Sequence, residues 1–352
     1  MLIVRYNVVM SERIFANAVV VGLGSIGKKH ADLLATLANS IFIIDPILKE
    51  LTYAIPAKQL LSIRDLPASV NSNDVAVVSN WGPDHFLTVV ALVQLGYRNI
   101  VLEKPLVCSL RELEDLHNLI VGSTIRVVVN QGWHYEKLGN RIRTLAQELS
   151  LGEPCAIWVT GGARCLSTAG SHYIQLAKDI LLSTPIEVTS QLDFDRINPR
   201  SEQLDYVEGV VAILFEDRKR VSISYTNYSS IEGDFEILWK DAIGLLNGTE
   251  LRIYQRGAER PYANIITRYG KAENLIFDNE VPNYSQSSHS GMAELYLGLV
   301  NHSSSELLNQ FLSHEMTTKI LLYSLLSNLE KRTLRVDDKV NKALYEKKFD
   351  IS

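Results

Sequence analysis

Residues 19–30 read VVVGLGSIGKKH, and this stretch decides the fold because it is compatible with two kinds of phosphate-binding loop. Read as G-x-G-x-x-G, it places Gly22, Gly24 and Gly27 at the spacing of a dinucleotide-binding loop. Read as G-x-x-x-x-G-K, it offers Gly22, Gly27 and Lys28, which is close to a nucleoside triphosphate loop. The surrounding sequence has to distinguish the two.

A triphosphate loop needs Ser or Thr after its lysine, because that hydroxyl binds the magnesium ion held by the phosphates. The residue here is Lys29, which has no hydroxyl. A dinucleotide loop instead needs a strand before it, a helix after it, and a carboxylate at the end of the second strand to bind the ribose hydroxyls. The apolar run 18–21, the helical pattern from Ser25, and Asp45, 18 residues after Gly27, meet these needs. The stretch therefore predicts a dinucleotide-binding loop.

The residues around Asp45 also indicate which dinucleotide is bound. A carboxylate at this position repels the 2'-phosphate of NADP, and residues 46–48 include no arginine that could receive it. Lys49 is the nearby cation that argues the other way. We predict NAD as the cofactor, with NADP as the less favoured alternative.

Short apolar runs alternate with helical patterns between about residues 16 and 129. The predicted strands are 18–21, 41–44, 74–79 and 99–102. The predicted helices are 25–38, 84–95 and one after Ser109, where S-x-x-E predicts a capping box with Glu112. Continuous apolar strands joined by helices indicate a parallel sheet covered on both faces. The predicted fold of this part is α/β, a doubly wound Rossmann sheet.

The pattern changes after about residue 130. The predicted strands are now 156–160, 186–194, 207–215, 221–225, 235–239 and 250–254. Turns at 216–218 and 247–248 favour a mostly antiparallel, open sheet, and two helical segments at 291–297 and 304–331 end the chain before a charged tail. We predict a Rossmann domain at 1–128 and a substrate-binding α+β domain at 129–352, with terminal helices that can pack back on the first domain.

Composition excludes several classes of function. At 352 residues the chain exceeds the roughly 250 to 300 at which one hydrophobic core stops growing, which favours two domains. A net charge of -5, with no basic run longer than 218–220, argues against a nucleic-acid partner. No apolar run approaches the roughly 18 residues that span a bilayer. The opening residues lack the pattern of a signal peptide, and Met10 is an alternative start.

The three cysteines are Cys108, Cys155 and Cys165. Their odd number and unrelated spacings predict buried thiols in a reducing cytoplasm and no metal site.

Two further predicted strand ends carry polar residues where a doubly wound sheet binds ligands. They are SNWGPDH at 79–85 and LEKP at 102–105. A lysine beside a buried strand end costs desolvation energy unless it has a partner or a function, which makes Lys104, next to Glu103, a candidate site residue. Ordinary loops contain such residues too, so a structural role is the alternative for either cluster.

Together these motifs resemble the glucose-fructose oxidoreductase and inositol dehydrogenase family, often called Gfo/Idh/MocA. The resemblance rests on GLGSIGKKH, the strand-end Asp45, NWGPDH at the place of the family's T-P-N-x-x-H, and EKP at 103–105. VVNQGWHYEK at 128–137 is similar to the family's Y-N-x-R-F-H-P segment. GGARCLSTAGSHYIQLAKDIL at 161–181 is similar to its G-G-x-x-x-D-x-x-x-H-x-x-D-L segment. The resemblance implies a Rossmann domain followed by an open, mostly antiparallel sheet, and carbinol-to-carbonyl chemistry on a sugar, cyclitol or nucleotide sugar.

The resemblance also implies roles for individual residues. Lys104 and His172 would be the catalytic, proton-handling groups, since a histidine can take or give a proton near neutral pH and a lysine can stabilise negative charge on oxygen. The implied cofactor-binding residues are Gly22, Gly24, Ser25, Ile26, Gly27, Asp45, Asn80, Trp81, Pro83, His85, Glu103 and Lys104. The implied substrate-binding residues are Asn130, Trp133, His134 and Tyr173.

The sequence departs from the family's pattern at three positions. Thr168 stands where an Asp often lies four residues before the histidine, and Gln175 stands where one often lies three residues after it. Gly132 replaces the Arg of the second segment. These changes remove groups that would orient the imidazole of His172 or bind an anionic substrate. Tyr173 is then an alternative proton donor.

Three functions stay open from the sequence. The preferred one is a cytoplasmic, NAD-dependent oxidoreductase for a small sugar-type substrate, which forms a homo-oligomer and has neither a nucleic-acid nor a membrane partner. The second is a catalytically weak NAD-binding regulator or sensor with the same fold. The third is a carbon-oxygen lyase or hydrolase that uses NAD transiently. For His172, His85, His134 and Trp133, helix capping or core packing is the alternative to a role in the site.

Overall fold

The computed structural model describes residues 13–47, 52–162, 164–198, 201–257, 272–281 and 290–352. The predictions made for Lys49 and for the start at Met10 lie outside these residues. The chain forms two compact units. The first unit contains the described residues up to Gly132, together with Gly291–Thr318 and Asn341–Ser352; the second contains those of Trp133–Ser290, together with Lys319–Val340.

The first unit is built on a six-stranded sheet in which every pair of neighbours is parallel. Its strands are β1 (Phe15–Val21), β2 (Ala38–Ile44), β3 (Ala57–Leu60), β4 (Val75–Val78), β5 (Asn99–Leu102) and β6 (Arg126–Val129). They lie in the order β3-β2-β1-β4-β5-β6, which is that of the dinucleotide-binding doubly wound fold. Every residue of β4 and β5 is buried, as expected for central strands covered on both faces. The predicted α/β class is confirmed.

Three helices join these strands, α1 (Ser25–Leu37), α2 (His85–Gln94) and α3 (Leu110–Ile120). The predicted capping box before α3 is only half formed. The Ser109 hydroxyl accepts a hydrogen bond from the Glu112 amide at 3.1 Å, as expected. The Glu112 carboxylate, however, accepts from the amide of Cys108 at 3.3 Å. The return bond thus stabilises the amide one residue before the cap.

The second unit is built on a nine-stranded sheet. The chain enters it through α4 (Gly132–Tyr135) and α5 (Leu138–Glu148), and α6 (Ser171–Leu181) follows the first strand. The strands are β7 (Ala156–Gly162), β8 (Pro185–Ile197), β9 (Asp205–Phe215), β10 (Arg220–Thr226), β11 (Phe235–Leu238), β12 (Ala242–Asn247), β13 (Glu250–Arg256), β14 (Ala272–Glu280) and a later short strand, β15 (Leu334–Arg335). Their order is β14-β13-β12-β11-β7-β10-β9-β8-β15, and β7 with β10 is the parallel pair among otherwise antiparallel neighbours. The predicted mostly antiparallel sheet is confirmed.

The chain ends in α7 (Ser290–Asn301), α8 (Ser304–Glu330) and α9 (Lys342–Tyr345). Helix α7 and the start of α8 belong to the first unit, whereas α8 beyond Thr318 belongs to the second. The last residues are tied to the first unit, since the amide of Phe349 donates to the Cys108 carbonyl at 2.9 Å. None of the described helices is long and apolar enough to cross a membrane.

Candidate functional site

The glycine loop between β1 and α1 owes its shape to close backbone contacts. Gly22 has φ +88°, and a Cβ there would lie 2.6 Å from the Asn80 nitrogen. A Cβ on Gly27 would lie 1.9 Å from the Gly22 carbonyl oxygen, so the first turn of α1 can approach the strand end only with glycine at this position. These two glycines are required by the fold of the loop itself.

Gly24 is different, because a Cβ built on it would meet nothing within 4 Å. It is the N-cap of α1, with φ -69°, and its position supplies no side-chain cap for the first amides of the helix. Such amides have no carbonyl partner within a helix, and with the helix dipole they form an anion-binding end. Ser25 is exposed and Ile26 half-buried beside it. The open face at Gly24 is therefore where the backbone can approach a pyrophosphate.

Asp45 follows β2 and has only 6% of its surface exposed. Its Oδ2 accepts from the Leu23 amide of the glycine loop at 2.7 Å, and its Oδ1 accepts from the Ile47 amide at 2.9 Å. The carboxylate thus fixes the loop to the end of β2. Each oxygen of a carboxylate has two acceptor positions, so these bonds are compatible with further bonds to ribose hydroxyls.

The segment after β4 contains Asn80, Trp81, Pro83 and His85. The Asn80 amide nitrogen donates to the Thr88 hydroxyl at 2.9 Å, but its buried Oδ1 has no hydrogen-bond partner in the structure. A buried acceptor without a partner costs free energy, and here it lies beside the glycine loop. This atom and the open face at Gly24 are the two features that fit a bound dinucleotide. Trp81 is 47% exposed, and Pro83 is half-buried.

His85 faces inward. Its Nδ1 lies 2.8 Å from the Pro105 carbonyl and its Nε2 lies 3.1 Å from the Asn80 carbonyl. Burial lowers the pKa of this histidine and outweighs the carbonyls, which favour the protonated ring. Both ring nitrogens therefore connect the segment after β4 to the one after β5, in agreement with the structural interpretation of this residue.

Glu103, at the end of β5, also faces inward, with 5% of its surface exposed. Its Oε1 accepts from Asn130 Nδ2 at 2.6 Å and lies 2.9 Å from Nε2 of His30. On the other side of the His30 ring, Nδ1 lies 2.7 Å from the Tyr296 hydroxyl of α7. Burial raises the pKa of Glu103, but the hydrogen bonds from His30 and Asn130 and the charges of His30 and Lys104 outweigh it, so the net pKa is lowered.

Lys104 is half-buried and is joined to Pro105 by a cis peptide bond. The structure thus groups the glycine loop, Asp45, Asn80 and the EKP segment at the carboxyl ends of the parallel strands, which is the ligand-binding edge of such a sheet. Asn130, predicted to face a substrate, is instead 8% exposed and directed at Glu103.

In the second unit, two of the predicted substrate-binding residues, Trp133 and Tyr173, form an aromatic cluster with the predicted catalytic His172. The Trp133 ring lies edge-on to His172 and Tyr173, with ring centroids 5.8 and 5.1 Å away. Tyr173 stacks on Phe235 and accepts a hydrogen bond from Arg164. Burial raises the pKa of Tyr173 despite the nearby guanidinium, so its hydroxyl keeps its proton near neutral pH.

Asp179, seven residues after His172, pairs with His134. His134 Nδ1 lies 2.9 Å from Asp179 Oδ2, and Gln175 Nε2 donates to Oδ1 of the same carboxylate at 2.9 Å. A Cβ on Gly139 would lie 2.6 Å from the Asp179 Cβ, so α5 approaches α6 closely at this point. Thr168 lies in a π-helical turn, Leu166–Gly170, before α6. Sequence reasoning missed Asp179 and Arg164, as it did the partners of Glu103.

The comparisons with known proteins agree with this geometry. Residues 16–131 match the family model GFO_IDH_MocA, described as an oxidoreductase family with an NAD-binding Rossmann fold. None of the curated proteins matches the sequence. The first unit is therefore an NAD-binding Rossmann unit.

Solved structures resemble the whole chain. An NAD-binding protein from Listeria innocua has a TM-score of 0.69 at 14% identity, over 92% of this chain and 98% of the other. An oxidoreductase from Agrobacterium radiobacter, in complex with NAD+, L-tartaric acid and magnesium, has a TM-score of 0.65 at 14% identity, over 92% and 98%. Apo scyllo-inositol dehydrogenase from Lactobacillus casei has a TM-score of 0.59 at 15% identity, over 93% and 100%. At this identity the resemblance establishes the fold.

Proposed function

Since residues 16–131 match the model of an NAD-binding oxidoreductase family, we propose that this chain is a Gfo/Idh/MocA oxidoreductase, which moves a hydride between nicotinamide and a hydroxyl or keto carbon of a small molecule. The substrate class we propose is a sugar, cyclitol or nucleotide sugar. Two observations carry the proposal: the open face of the glycine loop at Gly24, and the buried, unpartnered Oδ1 of Asn80, a residue whose backbone lies against Gly22. Residues 16–131 supply the site for NAD, which accepts or gives the hydride when bound.

The choice of NAD over NADP follows from Asp45. Its carboxylate is fixed by two backbone amides, and its negative charge opposes a phosphate on the neighbouring ribose hydroxyl. The same amides hold the carboxylate in place for hydrogen bonds from an unmodified ribose. The ribose end of the site thus supports NAD.

Two side chains are proposed to handle the proton. Oxidation of an alcohol needs a base for the hydroxyl proton, and we assign this role to His172. Lys104 carries an ammonium group that stabilises the negative charge developing on an oxygen. Tyr173, with its raised pKa and its hydrogen bond from Arg164, is the alternative proton donor. Trp133 and Tyr173 offer ring faces that suit a sugar.

The test is turnover with inositols, hexoses and nucleotide sugars as candidate substrates, and with NAD or NADH as cofactor. Wild-type protein should reduce NAD with at least one of these classes or oxidise NADH with the matching ketone. Lys104→Met and His172→Asn should each lose most of kcat, and His172→Asn should bind NAD with unchanged affinity. Full activity of Lys104→Met would refute the assigned mechanism and leave the fold untouched.

A second candidate function is that of an NAD-binding regulator with little activity. The observation that favours it is that Thr168 and Gln175 stand where the family often has carboxylates near the histidine. The two candidates differ in one result. If the protein is a regulator, the wild-type protein binds NAD but catalyses neither direction of the reaction.

We also propose that the protein forms a homo-oligomer through the second sheet and works in the cytoplasm. Trp158 of β7 and Val210 of β9 lie on the same face of the sheet, and each is 43% exposed. A subunit contact on this face would cover both side chains. The three thiols form no disulfide, which is compatible with a reducing compartment. Light scattering of wild-type protein and Trp158→Glu tests the oligomer.

A further inference from the structure

The first unit contains a buried chain of polar groups that the proposed chemistry does not use. It runs from Tyr296 of α7 through His30 of α1 to Glu103 and Asn130. His30 and Tyr296 have no exposed surface, and Glu103 and Asn130 are 5% and 8% exposed. The contacts between them are 2.7, 2.9 and 2.6 Å.

A buried ionised carboxylate is costly unless hydrogen bonds and opposite charges compensate for the loss of water. Glu103 receives both, because His30 and Asn130 meet the same oxygen, Oε1. The other titratable groups that act on it are its neighbour Lys104, His85 at the start of α2, and Tyr296. The net result is a lowered pKa for Glu103. The sheet therefore keeps a fixed negative charge directly next to Lys104 in the sequence.

His30 connects this charge to the cofactor loop. It lies on the buried face of α1, in the second turn of the helix whose first turn begins at Gly24. Its two ring nitrogens meet groups of opposite kind, a carboxylate and a phenol hydroxyl. The ring is thus held between the Glu103 carboxylate at Nε2 and the Tyr296 hydroxyl at Nδ1.

We propose that His30 is a positioning residue for the Lys104 end of the site: it keeps the buried Glu103 carboxylate in place and charged, so that α1 links the dinucleotide loop to the electrostatics around Lys104. The proposal rests on the role given to Lys104 above. By reciprocity, the attraction between Glu103 and Lys104 that favours the carboxylate also favours the ammonium form of the lysine. Loss of the His30 donor should let Glu103 take up a proton and make Lys104 more nucleophilic.

The test measures the rate at which acetic anhydride acetylates Lys104, by peptide mass spectrometry between pH 6 and 9. His30→Leu removes the donor, and Lys104 should react about tenfold faster at pH 7, since a neighbouring opposite charge commonly changes proton affinity by about tenfold or more. His30→Gln keeps an amide donor and should react as wild type does. His117→Gln is the matched control, because His117 also meets a carboxylate of this unit, Glu315, at 3.0 Å, but at the surface.

Equal labelling of Lys104 in wild type and in folded His30→Leu would overturn the proposal. If that variant does not fold, Tyr296→Phe is the second test, because it removes only the hydroxyl that contacts Nδ1 of His30. This variant should also label Lys104 faster than wild type does, and an unchanged rate would refute the proposal. Activity gives a second readout. A protonated Glu103 no longer favours the ammonium form of Lys104, so kcat of His30→Leu should fall more steeply towards alkaline pH than that of wild type. Labelling does not depend on turnover. A wild-type protein that is silent with all substrates, with labelling as predicted, would refute the proposed function and keep the positioning role.

Discussion

The most informative single substitution is Gly24→Ala, because the structure separates its effect on the fold from its effect on the cofactor. The backbone of Gly24, with φ -69°, is one that alanine adopts, and the new methyl would meet nothing within 4 Å. Alanine is a poorer N-cap than glycine, but it also restricts the unfolded chain, so the free energy of unfolding should change by no more than about 1 kcal/mol.

The same methyl group would occupy the face through which the helix amides approach a pyrophosphate. Losing one charge-assisted hydrogen bond to a phosphate costs about 1.5 to 3 kcal/mol. The Kd for NAD should therefore rise about 10- to 150-fold. Titration calorimetry with NAD, alongside thermal unfolding of the free protein, measures both quantities.

Gly27→Ala is the contrasting variant, because its Cβ would lie 1.9 Å from the Gly22 carbonyl oxygen. It should lose about 3 kcal/mol of stability through overpacking, whatever the ligand. If Gly24→Ala binds NAD as tightly as wild type, the assignment of the open face is refuted. If it unfolds as Gly27→Ala does, the reasoning about free space is refuted.

Three further predictions concern the first unit. Asp45→Asn removes the charge that opposes a 2'-phosphate, so the preference for NAD over NADP, measured as a ratio of Kd values, should fall about tenfold, and an unchanged ratio would contradict this role. Because the pKa of Glu103 is lowered on folding, its carboxylate contributes stability that is fully present above an unfolded value of about 4.3 and is lost as pH falls through the folded value. Glu103→Gln should thus lower Tm at pH 7 and approach wild type only as the pH falls below about 4, whereas a pH-independent difference would disprove the linkage. Ser109→Ala removes the cap of α3 and should cost about 1 kcal/mol in urea unfolding, with no change in NAD affinity.

The local pattern of the sequence was sufficient for the first sheet. The glycine spacing, the apolar runs and Asp45 predict a parallel Rossmann sheet, and its class is confirmed. Two of the strands that this pattern does not predict, β3 and β14, lack an apolar signal. β3 is a four-residue strand at the edge of the sheet, and β14 is exposed along most of its length and shows no alternation. β12 was missed although the turn after it was predicted; it has Gly244 at its centre.

The candidate site was predictable in its motifs but not in its contacts. The sequence places Glu103 near a cofactor and Asn130 near a substrate. In the structure, the Glu103 carboxylate turns inward and contacts both Asn130 and His30. Tyr296, which contacts His30, lies 266 positions after it in the sequence, and no hydrophobic periodicity predicts such a contact. Likewise Asp179, on the last turn of α6, provides a carboxylate for His134, whereas the family's pattern often has its carboxylate at the position of Gln175.

The central claim is that this chain is an NAD-dependent oxidoreductase in which Lys104 serves the reaction. The most direct measurement follows the near-ultraviolet absorbance of NADH while wild-type protein and Lys104→Met are mixed with NAD and each class of sugar, cyclitol and nucleotide sugar. Wild-type protein should form NADH with at least one class, and Lys104→Met should form none. NAD binding without any NADH formed or consumed, in either direction, would contradict it.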